Sequence, residues 1–109
     1  MPRTPCVYIL ASGRNGTLYV GVTSELVQRV WQHKNDVMGG FTSDYSVKLL
    51  VFYERHATMA DAILREKRIK KWERAWKVAL IESDNPQWRD LYEDIVAPGR
   101  TPGCPPSRA

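Results

Sequence analysis

The chain has 109 residues, enough for one domain with a core of its own and no need of disulfide or metal staples. Its 43% hydrophobic and 26% charged residues exclude a disordered chain, and no apolar run approaches the ~18 residues of a membrane span. Sixteen Lys and Arg against twelve Asp and Glu give a net charge of +4 and a pI near 9.3, which favours polyanionic partners and says nothing about fold. The opening segment "MPRTPCVYIL" lacks the long apolar stretch of a signal peptide. Cys6 and Cys104 have no metal-type spacing. A reduced, cytoplasmic setting is the expectation.

In chain order, "CVYILA" (Cys6 to Ala11) and "TLYVGV" (Thr17 to Val22) read as two strands. Asn15-Gly16 between them marks a turn, so the pair is expected to form a hairpin. Ser24 then caps a helix, "ELVQRVWQHKN", with an apolar stripe of Leu26, Val27, Val30 and Trp31. "DVMGGFTSDYS" is a loop. "VKLLVFYE" (Val47 to Glu54) is continuous enough in apolar residues for a central strand. Thr58 and Asp61 suggest a capping box that opens a long helix, "MADAILREKRIKKW", continuing with a kink or break into "ERAWKVALIES". Asn85-Pro86 reads as the cap and first turn of a final helix through "QWRDLYEDIV". Trp72, Trp76 and Trp88, spaced beside Leu80, Ile81 and Leu91, read as core. The expected architecture is a single α+β domain over residues 1–95: a small, mostly antiparallel three-stranded sheet in ββαβαα order. The Pro/Gly-rich residues 96–109 are expected to be a disordered tail.

Within this scaffold a few residues stand out. Glu66 lies among Ala62, Ile63 and Ile69 on the core-facing side of the long helix. There a carboxylate must be paired, protonated or metal-bound; an i,i+4 pair with Lys70 is the plain alternative. Arg29 and His33 share a helix face next to the apolar stripe, a combination suited to phosphate or to solvent alike. Tyr8 and Tyr19 face the same way if the hairpin loop spans Ser12 to Asn15, and opposite ways if it is one residue longer. Gly21 inside a strand marks a bulge or a close approach.

The order of these residues resembles the GIY-YIG nuclease superfamily. Cys6-Val7-Tyr8 stands where the family has Gly-Ile-Tyr, and Tyr19-Val20-Gly21 where it has Tyr-Ile-Gly. Arg29, His33 and Glu66 match the family's helix arginine, its His/Tyr position and its metal-binding glutamate. "KRIKKW" and "NPQW" are similar to segments of the small stand-alone bacterial members. The family's downstream asparagine has its first counterpart in Asn85, which the sequence also explains as a helix cap.

The resemblance implies a divalent-metal-dependent endonuclease acting on DNA, with low sequence specificity, selectivity for nucleic-acid structure and a role in DNA repair or processing. Glu66 would bind Mg²⁺ or Mn²⁺, Arg29 would hold a phosphate oxygen, and Tyr8 or Tyr19 would handle the attacking water with help from His33. The flanking Lys67, Arg68, Lys70, Lys71 and Arg74 would track the nucleic-acid backbone. The alternative is a non-catalytic binding module on the same fold.

Overall fold

The computed structural model describes residues 4–35, 37 and 45–96. Most of the loop expected at 36–46 lies outside these, as does the tail expected at 96–109 except for Val96, which ends a helix.

Strands β1 (Cys6–Ala11), β2 (Leu18–Thr23) and β3 (Leu49–Arg55) form an antiparallel sheet in the order β2-β1-β3. Helices α1 (Leu26–Lys34), α2 (Met59–Lys71), α3 (Arg74–Asp84) and the short α4 (Tyr92–Val96) complete the domain. Among the described residues no helix is long and apolar enough to cross a membrane.

The central strand is β1, not the third strand as its apolar run suggested. Every β1 residue is buried, so the sheet is covered on both faces. Val7, Ile9 and Ala11 join Val20, Ala62, Ile69 and Ile81 in the core under α2 and α3. Tyr8 and Leu10 point the other way, toward Val30, Leu50, Leu26 and Ile95 beneath α1 and α4. β3 is an edge strand that reads as central because the chain after α3 covers its outer side. Leu91 N donates to Leu50 O at 2.7 Å, Asp90 Oδ1 accepts from Leu50 N at 3.1 Å, and Asn85 Nδ2 donates to Val51 O at 3.1 Å.

The hairpin loop runs from Ser12 to Thr17, longer than expected. Ser12 N donates to Thr17 O at 3.0 Å, and Asn15 takes the left-handed conformation (φ 58°) that the Asn-Gly pair tolerates. The register pairs Leu10 with Tyr19 and Tyr8 with Gly21. The loop exceeds the shorter alternative by two residues, so parity is kept. Tyr8 and Tyr19 share a face as diagonal neighbours.

Helix boundaries follow local chemistry, with corrections. Thr58 accepts from Asp61 N at 3.1 Å, as the capping pattern implied. α2 breaks at Trp72, whose extended backbone (φ −69°, ψ 152°) separates it from α3. Ser24 is not the cap of α1; the chain enters that helix through Glu25 N donating to Thr23 Oγ1 at 3.0 Å. The stripe of α1 is also rotated from the expected one. Val30 and His33 are buried, whereas Val27 and Trp31 are exposed, Trp31 by 50%. Of the tryptophans, Trp88 is core, Trp72 is half-buried, and Trp76 is 59% exposed, so the core expectation fails for Trp76.

No helix begins at Pro86. Asn85 is the C-cap of α3 and folds the "NPQWR" turn around its own amide. Its Oδ1 accepts from Arg89 N at 3.0 Å, while Nδ2 donates to Arg89 O at 2.8 Å and to Val51 O. The turn holds Trp88 in a left-handed conformation (φ 57°), with its indole Nε1 donating to Glu82 at 2.7 Å. All the amide's capacity is spent on backbone at the β3 side. Asn85→Ala orphans these groups and is expected to cost about 1–3 kcal/mol. Urea unfolding checks this, with loss of function only in proportion to the unfolded fraction.

Candidate active site

Tyr8 enters the site from the centre of the sheet. Its ring lies across the neighbouring strand, directly over Gly21. A Cβ built on Gly21 would sit 2.5 Å from both Cζ and Oη of Tyr8. The glycine that sequence reading assigned to a bulge or close approach is thus the floor under a tyrosine ring. No other residue leaves that space.

A phenol that is 1% exposed needs partners for its hydroxyl. Tyr8 Oη lies 3.0 Å from His33 Nε2, and Arg29 sits near enough to act on the phenol. Burial, followed by the nearby Tyr19, pushes the Tyr8 phenol well above the ordinary tyrosine range, and Arg29 only partly opposes this. The buried phenol is thus held in its neutral form.

His33 is 2% exposed. Burial, then the Arg29 charge, holds its pKa below 6.5. It is not on a flank beside the stripe, as expected; it occupies the stripe itself, one turn after Val30, because Tyr8 satisfies it there. Tyr19 completes an aromatic cluster. Its ring centroid is 5.3 Å from His33 and 6.3 Å from Tyr8. Unlike Tyr8 it is only half-buried and keeps a face toward solvent.

Glu66 approaches from α2, 8% exposed and near enough to Tyr8 to act on its charge. Lys70 Nζ lies 2.5 Å from Glu66 Oε2, so the i,i+4 pair is formed. Such a pair with an exposed lysine contributes only ~0–1 kcal/mol, which leaves the carboxylate open to a stronger cation. Among the described residues no three His, Cys, Asp or Glu side chains gather around a metal position. A zinc site would need such a set. A lone carboxylate is a donor that fits Mg²⁺ or Mn²⁺, which keep water and take other ligands from phosphate.

The other candidates divide. Lys67, Arg68, Lys70, Lys71 and Arg74 are exposed. Arg74 is also tied to the hairpin loop, donating to Gly16 O at 2.7 Å. Asn85 spends its hydrogen bonds on Val51 O and on the Arg89 backbone. Sequence reading missed a polar pocket of about 250 Å³ beside Arg29, lined by Thr23, Ser24, Glu25, Gln28 and Gln32. The four-residue recurrence of Ser24, Gln28 and Gln32 was its available signal.

This geometry can be set beside known proteins. A family model described as the GIY-YIG catalytic domain matches residues 4–79, which include all five clustered side chains. The chain belongs to the GIY-YIG nuclease family. Its curated relatives include a UPF0213 protein of Staphylococcus epidermidis, 32% identical over 76 residues, covering 70% of this chain and 92% of that one. A UPF0213 protein of Staphylococcus saprophyticus is 31% identical over 75 residues, covering 69% and 90%. The solution NMR structure of a UPF0213 protein from Bacillus halodurans shares the fold, with a TM-score of 0.51 and 22% identity over 81% of this chain and 93% of that one. The small stand-alone bacterial type and the three-stranded α+β architecture expected of this GIY-YIG chain both hold.

Two measurements check the site's construction. Gly21→Ala forces the Tyr8 ring off its floor, with an expected loss of about 1–3 kcal/mol in denaturant unfolding. In wild type, NMR titration of His33 is expected to give a midpoint below 6.5. The unfolded chain then takes up a proton that the folded site resists, so stability is full above pH 6.5 and falls as pH drops toward the folded-state midpoint. His33→Gln should flatten that window.

Proposed function

We propose that this GIY-YIG domain is a divalent-metal-dependent endonuclease that hydrolyses phosphodiester bonds in DNA. It would have little sequence specificity and some selectivity for nucleic-acid structure, serving DNA repair or processing. The observation that carries the reading is the convergence of Tyr8, Tyr19, Arg29 and His33 with the carboxylate of Glu66 within reach of Tyr8. The net charge of +4 and the exposed cations of α2 support a polyanionic substrate.

Glu66 would hold the Mg²⁺ or Mn²⁺ ion, which when bound supplies charge neutralisation for the in-line displacement. Arg29 holds a non-bridging phosphate oxygen by charge-assisted hydrogen bonds while its second contact keeps Tyr8 in line. Tyr8, buried and with its pKa raised, fixes His33 through the hydrogen bond between Oη and Nε2. Tyr19, half-buried against the imidazole, is the hydroxyl that faces substrate and orients the attacking water. His33, neutral at pH 7, keeps one unprotonated ring nitrogen that can take up a proton in the site. Lys67, Arg68, Lys71 and Arg74 track phosphates without reading sequence.

The pair between Glu66 and Lys70 favours one competing reading, a non-catalytic nucleic-acid-binding module in which Glu66 is an ion-pair partner and nothing more. Cleavage of labelled linear, flapped and branched DNA with Mg²⁺ or Mn²⁺, and with EDTA as control, separates the two. Wild type is expected to cut. Glu66→Ala should fall to background, and Arg29→Ala should lose about 10²–10³-fold in rate. Undiminished metal-dependent cutting by Glu66→Ala would refute the metal assignment. Binding without cutting on every substrate would leave the module.

A further inference from the structure

Trp76 is the feature that the nuclease reading leaves over. Folding normally covers most of a tryptophan, yet this one, in the first turn of α3, is 59% exposed. Its ring meets the half-buried Trp72 edge-on, with centroids 5.9 Å apart and planes at 75°. Trp72 is itself held in place, with the Arg65 guanidinium 5.2 Å from its ring centre and Arg65 Nε donating to Glu54 at 2.8 Å. The exposed indole therefore stands on a braced support.

Its neighbours along the chain are cations. Lys70, Lys71, Arg74 and Lys77 bracket it, with Glu73 the only acid among them. The bond from Arg74 to Gly16 O anchors this basic group against the β1–β2 loop. The core of a protein–protein interface is depleted in charge, which argues against a protein partner at this place. A braced aromatic ring among cations has the chemistry that single-stranded nucleic acid requires: phosphates meet the cations, and an unpaired base lies on the indole. Bases within a duplex are already stacked on one another and have no free face to offer.

We infer that Trp76 is a stacking platform for an unpaired base of single-stranded DNA, at the end of the basic ridge that leads from Glu66. At a helix rise of ~1.5 Å per residue, Lys71 is only ~8 Å along α2 from Glu66, about the spacing of one or two nucleotides. Trp76 follows Lys71 by five residues, across the break at Trp72, next to the basic end of α2. This deepens the nucleic-acid reading above and rests on it. It gives selectivity for nucleic-acid structure a physical source, since flaps and single-stranded branches present the free base that intact duplex lacks.

The test is binding without metal, in EDTA and at fixed salt, so that cleavage plays no part. Three ligands are compared: a short oligothymidylate, an abasic oligomer of equal length, and a duplex of equal length. Trp76→Ala is expected to weaken oligothymidylate binding about tenfold or more while leaving abasic and duplex affinity within about twofold. Trp76→Phe, which retains a ring, should restore most of the difference and guards against a folding defect, monitored by circular dichroism. Equal loss on all three ligands, or no loss on any, overturns the inference. A shift from dimer to monomer on Trp76→Ala also overturns it, by making Trp76 a self-association contact. Single-strand preference in a wild type that never cuts would sink the nuclease reading and leave the platform standing; cutting with no such preference would do the reverse.

Discussion

The middle strand of the sheet is buried on both faces, and much of the molecule follows from that. Alternate residues of β1 feed two separate cores, so Val7, Ile9 and Ala11 go one way and Tyr8 and Leu10 the other. A tyrosine in the second set brings a polar hydroxyl into an apolar layer, where leaving it bare would cost more than its hydrogen bonds contribute. The only exit is sideways, over β2. Gly21 opens that path, α1 supplies Arg29 and His33 at its end, and Tyr19 closes the ring from the same face. The site is thus the solution to a burial problem set in the middle of the sheet.

The same constraint divides labour between two tyrosines of one hairpin. Tyr8 loses solvent and becomes a harder acid, fit to hold and orient. Tyr19, displaced by one diagonal step in the register, keeps a solvent-facing side. His33 is kept neutral by the shielding that buries Tyr8, and Arg29 deepens the effect by its charge. Glu66 stands apart from this network on another element, with an exposed lysine as its partner. Tyr8 and His33 are buried and bonded to each other, while Glu66, also buried, is paired with an exposed lysine.

Much of this was legible in the sequence, and the failures have physical causes. The hairpin, the Thr58 cap and the break near Trp72 depend on local chemistry, which one chain segment reveals by itself. The tyrosines could be paired to a face because strand parity has only two outcomes, although loop length left the choice open. Strand order was misread because an apolar run looks the same whether a strand or a buried turn covers its edge. The cover for β3 comes from Asn85, Asp90 and Leu91, some forty residues later. The burial of His33 was hidden for a similar reason. Val27 and Trp31 offered an equally apolar stripe, and only Tyr8, from another element, makes a core position acceptable for an imidazole.

The contact between Tyr8 and Gly21 also changes how the two signature words of this family can be read. The tyrosine of the first and the glycine of the second are usually counted as separate letters, yet here they are the two halves of one close approach. A descendant whose first tyrosine had shrunk to a small residue would no longer need the glycine, and any side chain could enter the space. Loss of the two letters together would then mark a lineage that had given up the site, whereas loss of the glycine alone should be rare in any lineage that still folds this way. The pair would serve as a ledger of which copies retain their chemistry, readable from aligned sequences before any protein is made.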